Sequence, residues 1–162
     1  MRIPILLVCL LALAACDSTS DSEGVARGQF EATLTGAVDA SLRGTAVAQR
    51  RSDVGEESLV VITMLEGGFS GRALSLIGDE QSFARSGTVS LGSDEAIALV
   101  YTDLRGDTGE TLYARGGSVT FTQTSESRIV GTFSAQLSVI DAPTSTAAEV
   151  EGSFDAVNLP LP

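Results

Sequence analysis

The chain has 162 residues, with 21 acidic against 10 basic side chains and a formal net charge of −11. Every basic residue is arginine; lysine, histidine and tryptophan do not occur. A histidine triad, a histidine general base and a histidine metal site are therefore excluded, the charge disfavours nucleic acid because that binding is dominated by phosphate neutralisation, and the length allows one domain.

The N-terminus reads Met1-Arg2, then an uncharged apolar run Ile3–Ala15, then Cys16-Asp17. One positive charge, a short apolar stretch and small residues before a cut make the pattern of a secretory signal peptide. A membrane-spanning helix needs about 20 apolar residues, more than this run supplies. Residues 1–15 are expected to leave as the signal. With Cys9 lost in that step, Cys16 is the one cysteine left, so the folded part has no disulfide and must hold itself together through its core. Asp17 to Arg27, DSTSDSEGVAR, is polar and acidic with no periodicity. Residues 16–28 therefore read as a flexible linker, and 29–162 as a single domain.

From Phe30 the pattern has period two. Phe30, Ala32, Leu34, Val38, Ala40, Leu42, Ala46 and Ala48 share one parity, and Glu31, Thr33, Thr35, Ser41, Arg43 and Thr45 the other. Alternation of this kind predicts half-buried strand. Its length predicts two strands, or one bent near Gly36 or Gly44. Arg50–Glu57 is a charged loop. Leu59–Leu65 (LVVITML) predicts a central strand buried on both faces, followed by a turn at Glu66-Gly67-Gly68. Arg72–Ile77 is a strand, and Gly78–Ser86 a loop or one short helical turn. Strands follow at Thr88–Leu91 and Ala96–Thr102, then a loop over Asp103–Glu110. Leu112–Arg115 predicts a short strand, Gly116-Gly117 a turn, and Ser118–Gln123 a further strand. After a turn at Thr124–Ser127 come a strand at Ile129–Ile140, a loop at Asp141–Glu149 and a last strand at Val150–Val157. About nine or ten short strands with glycine turns predict an all-β domain, an antiparallel sandwich or barrel.

One short pattern recurs. Gly28-Gln-Phe30-Glu-Ala32, Gly131-Thr-Phe133-Ser-Ala135 and Gly152-Ser-Phe154-Asp-Ala156 all read G-x-F-x-A. The uneven spacing excludes a solenoid. As a strand-entry device it puts phenylalanine and alanine on the inner face, and it predicts that the three strands lie near one another.

Leu13-Ala14-Ala15-Cys16 resembles the lipobox of bacterial lipoproteins. In that family the cysteine sulfur receives a diacylglyceryl group and the signal is cut between the residues that correspond to Ala15 and Cys16. The resemblance implies lipidation at Cys16 and a stable hold on a membrane surface, since two or more acyl chains anchor stably where one does not. The segments Gly117-Ser-Val-Thr-Phe, Val130-Gly-Thr-Phe-Ser-Ala and Val150-Glu-Gly-Ser-Phe-Asp-Ala, with the opening Phe30-Glu-Ala-Thr-Leu-Thr-Gly-Ala-Val, are similar to stretches of uncharacterised β-rich bacterial lipoproteins. That likeness implies a β-domain on a lipid tether and transfers no functional residues.

Few constellations carry chemistry. Arg105-Gly106-Asp107 is an RGD triplet in a predicted loop, and Asp103, Asp107 and Glu110 share that loop. Calcium takes six to eight oxygens, but Arg105 occupies the place of a middle ligand in the EF-hand spacing. Serine and threonine are plentiful, yet a nucleophile needs an activating base, and histidine and lysine are missing. Tyr101 and Tyr113 fall in strand-like segments, as core or rim. No phosphate-binding or dinucleotide-binding glycine motif occurs, and neither a cofactor nor a metal is expected. The sequence thus points to a lipid-anchored protein of the cell membrane or outer membrane, its domain outside the cytoplasm. The expected role is non-catalytic: structure, adhesion or binding of a protein or glycan. The alternative is a small β-barrel carrier of an apolar ligand, which an apolar cavity would favour and a solid core would not.

Overall fold

The computed structural model describes residues 24–51, 58–105, 109–140 and 147–159. The expected signal peptide, its cleavage point at Ala15 and Cys16, and the first part of the linker lie outside the described residues.

The period-two segment from Phe30 forms two strands, β1 (Gln29–Gly36) and β2 (Ala40–Arg51), paired antiparallel with Phe30 opposite Gly44 and Leu34 opposite Ala40. The turn falls at Gly36, whose φ of 122° is open to glycine and whose N–H donates to Asp39 Oδ1 at 3.0 Å. The next strands are β3 (Leu59–Glu66) and β4 (Arg72–Asp79). A four-residue helix, α1 (Glu80–Phe83), follows, then β5 (Gly87–Ser90) and β6 (Ile97–Asp103). The chain ends with β7 (Glu110–Thr124), β8 (Arg128–Ser138) and β9 (Ala148–Asn158).

Eight of these strands close into a barrel in the order β7-β6-β4-β3-β2-β1-β9-β8, with β8 returning to β7. Closure removes the open edges a sandwich would leave. The ninth strand, β5, pairs with β7 at Ser118–Phe121, beyond the stretch that pairs with β6. Neighbours in the barrel run antiparallel; β2 and β9 also meet in parallel at Val47–Val157 and Ala48–Asn158, past the point where β1 begins between them.

Inward side chains form a continuous core that includes Phe30, Leu42, Ile62, Leu76, Leu99, Leu112, Phe121 and Phe154. An eight-stranded barrel has an interior just wide enough for side chains to fill. Among the described residues five phenylalanines lie in that core, one of them Phe83 of α1, whose ring stands 5.4 Å from the Phe121 ring at one end of the barrel.

The three G-x-F-x-A strands are β1, β9 and β8, adjacent in that order. Their register explains the motif. Gly131 faces Phe154 and Phe133 faces Gly152 across the β8–β9 pair, while Phe30 faces Phe154 across β1–β9. Two antiparallel copies of G-x-F therefore interlock, each ring lying over the glycine opposite. The Phe133 and Phe154 centroids stand 6.2 Å apart, within the range of favourable aromatic pairs.

Two expectations need correction. Leu59–Leu65 is buried on one face only: Val60, Ile62 and Met64 point inward, while Leu59, Val61, Thr63 and Leu65 are half-buried on the outside. Outward apolar pairs such as Val61 with Ile77 cover one another across strands there, so the run lacks a polar face without being sandwiched. Gly116-Gly117 is no turn. Residues 110–124 form one long strand with register shifts at Ala114/Gly116 and Phe121/Gln123. The first shift moves the inward parity from Leu112 and Ala114 to Val119 and Phe121, which in sequence looks like two strands. At Gly117 the φ is 142°, and a Cβ would stand 2.2 Å from the Ser134 carbonyl oxygen.

Candidate functional site

Outward residues of β2, β1, β9, β8, β7 and β5 fall into two rows that cross the strands. The first runs Arg43–Glu31–Ser153–Thr132–Thr120–Thr88. The second runs Ser41–Thr33–Glu151–Ser134–Ser118–Ser90. Neighbours within a row are one strand apart, about 4.8 Å, and the rows are two residues apart along each strand, about 6.7 Å.

Between the rows lies an open trough of about 550 Å³, lined by both rows from β2 to β7. Beneath it the inner face carries the small pair Ala32 and Gly152, opposite each other across β1 and β9. Gly152 permits a close approach of the two strands, since a Cβ there would meet the Glu31 carbonyl oxygen at 2.6 Å. A second depression of about 420 Å³ continues along the wall past Gly116, Gly117, Gln136 and Glu149, sharing Ser134.

Hydroxyls dominate the trough, and each both donates and accepts hydrogen bonds. Thr88 and Thr120 already bond each other at 2.8 Å. The one arginine, Arg43, stands 3.6 Å from Glu31 in an exposed pair that is worth little to stability. Glu151 faces Thr33 and Ser134.

The loop singled out in the sequence is occupied differently from either reading. The Asp103 carboxylate accepts from Arg105 Nε at 3.0 Å, from Arg105 Nη2 at 2.7 Å and from the Arg105 backbone N–H at 3.0 Å. These bonds hold the Asp103 carboxyl down to about 2. A carboxylate so engaged is a poor calcium ligand, and an arginine so engaged is a poor RGD contact. Gly106 and Asp107 lie outside the described residues. Among the described residues no group of three or more metal-ligating side chains is placed to hold an ion, and no helix is long and apolar enough to cross a membrane.

Tyr101 is fully buried, and burial foremost, with the nearby Asp103 charge, raises its phenol above the usual value; Tyr113 lies on the outer surface. Nearby, Arg72 makes a two-pronged pair with Glu66 at 2.6 and 2.9 Å, closing the β3–β4 turn. Asp155 points outward on β9 yet is only 1% exposed, because the Arg128 guanidinium covers it with two hydrogen bonds, one of 2.7 Å. This pair ties the start of β8 to β9, and no reading of the sequence singled it out.

The trough was also missed. Alternating Thr and Ser in Thr120-Phe-Thr122 and Thr132-Phe-Ser134 read simply as a wet face. Only the strand order and register align them into rows, and short-range pattern carries neither. Comparison with protein-family models, with curated proteins and with solved structures finds no match.

Proposed function

We propose that this protein is a lipoprotein held to a membrane through Cys16, and that its barrel is a non-catalytic module that binds a partner at the cell envelope. The observation that carries the binding role is the division of the barrel wall: rings interlocked with glycines inside, and a hydroxyl-lined trough outside. Support for the anchor comes from Leu13-Ala14-Ala15-Cys16 at the end of an uncharged run. The fully buried apolar side chains line the inside of the barrel, while hydroxyls and charges cover the β2-to-β7 side of its outer wall, unlike the apolar outer band of a membrane-spanning barrel, so a membrane hold would come from outside it. Twelve residues separate Cys16 from Gln29, a tether of at most about 40 Å. It enters at the barrel end that carries α1 and the Thr124–Arg128 turn, leaving the trough on the side wall.

An eight-stranded barrel is also an architecture that encloses one small ligand, and the alternative reading is a carrier of an apolar molecule. The close ring contacts and the Gly–Phe pairs fill much of the space such a ligand needs, so the trough reading is preferred. The anchor is tested by feeding labelled palmitate to bacteria that express the wild type or Cys16→Ala. Incorporation and membrane sedimentation of the wild type, both lost in the variant, are expected. A wild type that is cut yet unlabelled and soluble contradicts the anchor.

A further inference from the structure

The trough has a chemistry narrow enough to select a class of ligand. Nine of the twelve residues in its two rows are serine or threonine, and the remaining three are Glu31, Glu151 and Arg43. The backbone beneath the trough, from β2 to β7, is committed to barrel pairing, so an added peptide strand finds a free ladder only beyond it, at the outer edge of β5. No outward aromatic or aliphatic side chain in these rows provides the buried anchor that protein partners usually need. Phosphate, sulfate and acidic polymers meet two carboxylates against one arginine, and that arginine already faces Glu31. What remains is a neutral ligand that both donates and accepts hydrogen bonds at short, regular intervals along an extended path. From β2 to β7 the trough crosses five strands, four spacings of about 4.8 Å, or about 19 Å.

We propose that the trough binds a neutral, unbranched polysaccharide, lying across the strands with its ring hydroxyls between the two rows. Glu151 accepts from a vicinal pair of sugar hydroxyls, and Thr132 and Ser153 contact the chain at the centre. Without a stacking aromatic, each sugar unit contributes little, so affinity grows with chain length. The proposal rests on the partner-binding reading but not on the anchor: palmitate labelling of Cys16 and glycan binding succeed or fail separately.

The test is affinity electrophoresis of the full protein through native gels containing a neutral linear polymer (hydroxyethyl cellulose, amylose or pullulan) or an anionic one (alginate). Retardation is expected in at least one neutral gel and not in alginate. The pair Thr132→Val and Ser153→Ala removes two central hydroxyls at nearly constant shape, and is expected to weaken retardation at least fivefold. Thr132→Ser, which keeps the hydroxyl, and Ser75→Ala, on β4 across the barrel, are expected to leave it unchanged. Each variant is checked for an unaltered melting temperature. No retardation in any neutral gel, retardation in alginate alone, or retardation that survives the double substitution would overturn the proposal.

Discussion

At position 152 a Cβ would stand 2.7 Å from Phe133 Cζ, 2.8 Å from the Ala32 Cβ and 2.6 Å from the Glu31 carbonyl oxygen. Position 131 has the matching geometry, with Phe154 Cζ at 3.0 Å. These glycines are the space that the opposite rings occupy. Gly152→Ala should therefore destabilise the barrel by about 1–3 kcal/mol through overpacking. Phe133→Leu shortens the side chain that meets the new methyl. In a double-mutant cycle the two changes should cost less together than their sum, with a coupling of about 0.5 kcal/mol or more in urea unfolding. Strict additivity would mean that the ring and the glycine do not share that space. The G-x-F-x-A pattern was legible in the sequence, as was the neighbourhood of its three strands. Its reason was not, because the interlock appears only when positions 131 and 154 are known to be opposite.

Elements were legible wherever side-chain alternation was unbroken. The β1–β2 hairpin and β8 follow from their period-two patterns, because each buries one face, and β6 from its apolar run. Failures came where a different principle prevailed. In β7 a bulge switched the inward parity inside one strand, and Gly117, which with Gly116 signals a turn in sequence, served close strand approach instead. In β3 outward Val61 and Leu65 lie against Ile77 and Ala73 of β4, so hydrophobicity overstated burial. The end of β6 carries a testable charge effect. Hydrogen bonds from Arg105 lower the Asp103 carboxyl from its ordinary 3.8 to about 2, so the folded state releases this proton more readily than the unfolded chain. That contribution is fully present above about pH 4 and is lost as pH falls through about 2. Asp103→Asn should flatten the fall in melting temperature between pH 4 and pH 2 and lower stability at pH 7. An acid limb identical to that of the wild type would show that the pair contributes nothing to folding.

For the whole molecule, an all-β fold of about nine strands could be read from composition and periodicity. The choice of closed barrel over sandwich could not, because closure depends on β8 meeting β7, a pairing that no local pattern encodes. The same holds for the site: its hydroxyls were visible one strand at a time, and their alignment depends on the order β2-β1-β9-β8-β7. The proposed division of labour gives the interior of this barrel to structure and its outer wall to binding. Amide chemical-shift mapping of the full protein tests that division most directly, with a neutral hexasaccharide added in one series and palmitate in the other. Saturable shifts are expected at Thr132, Ser153 and their row neighbours with the sugar, and none at Phe121, Phe133 or Phe154 with palmitate. Saturable shifts of those interior phenylalanines with palmitate, and a silent trough with the sugar, would contradict that division and make the barrel a carrier.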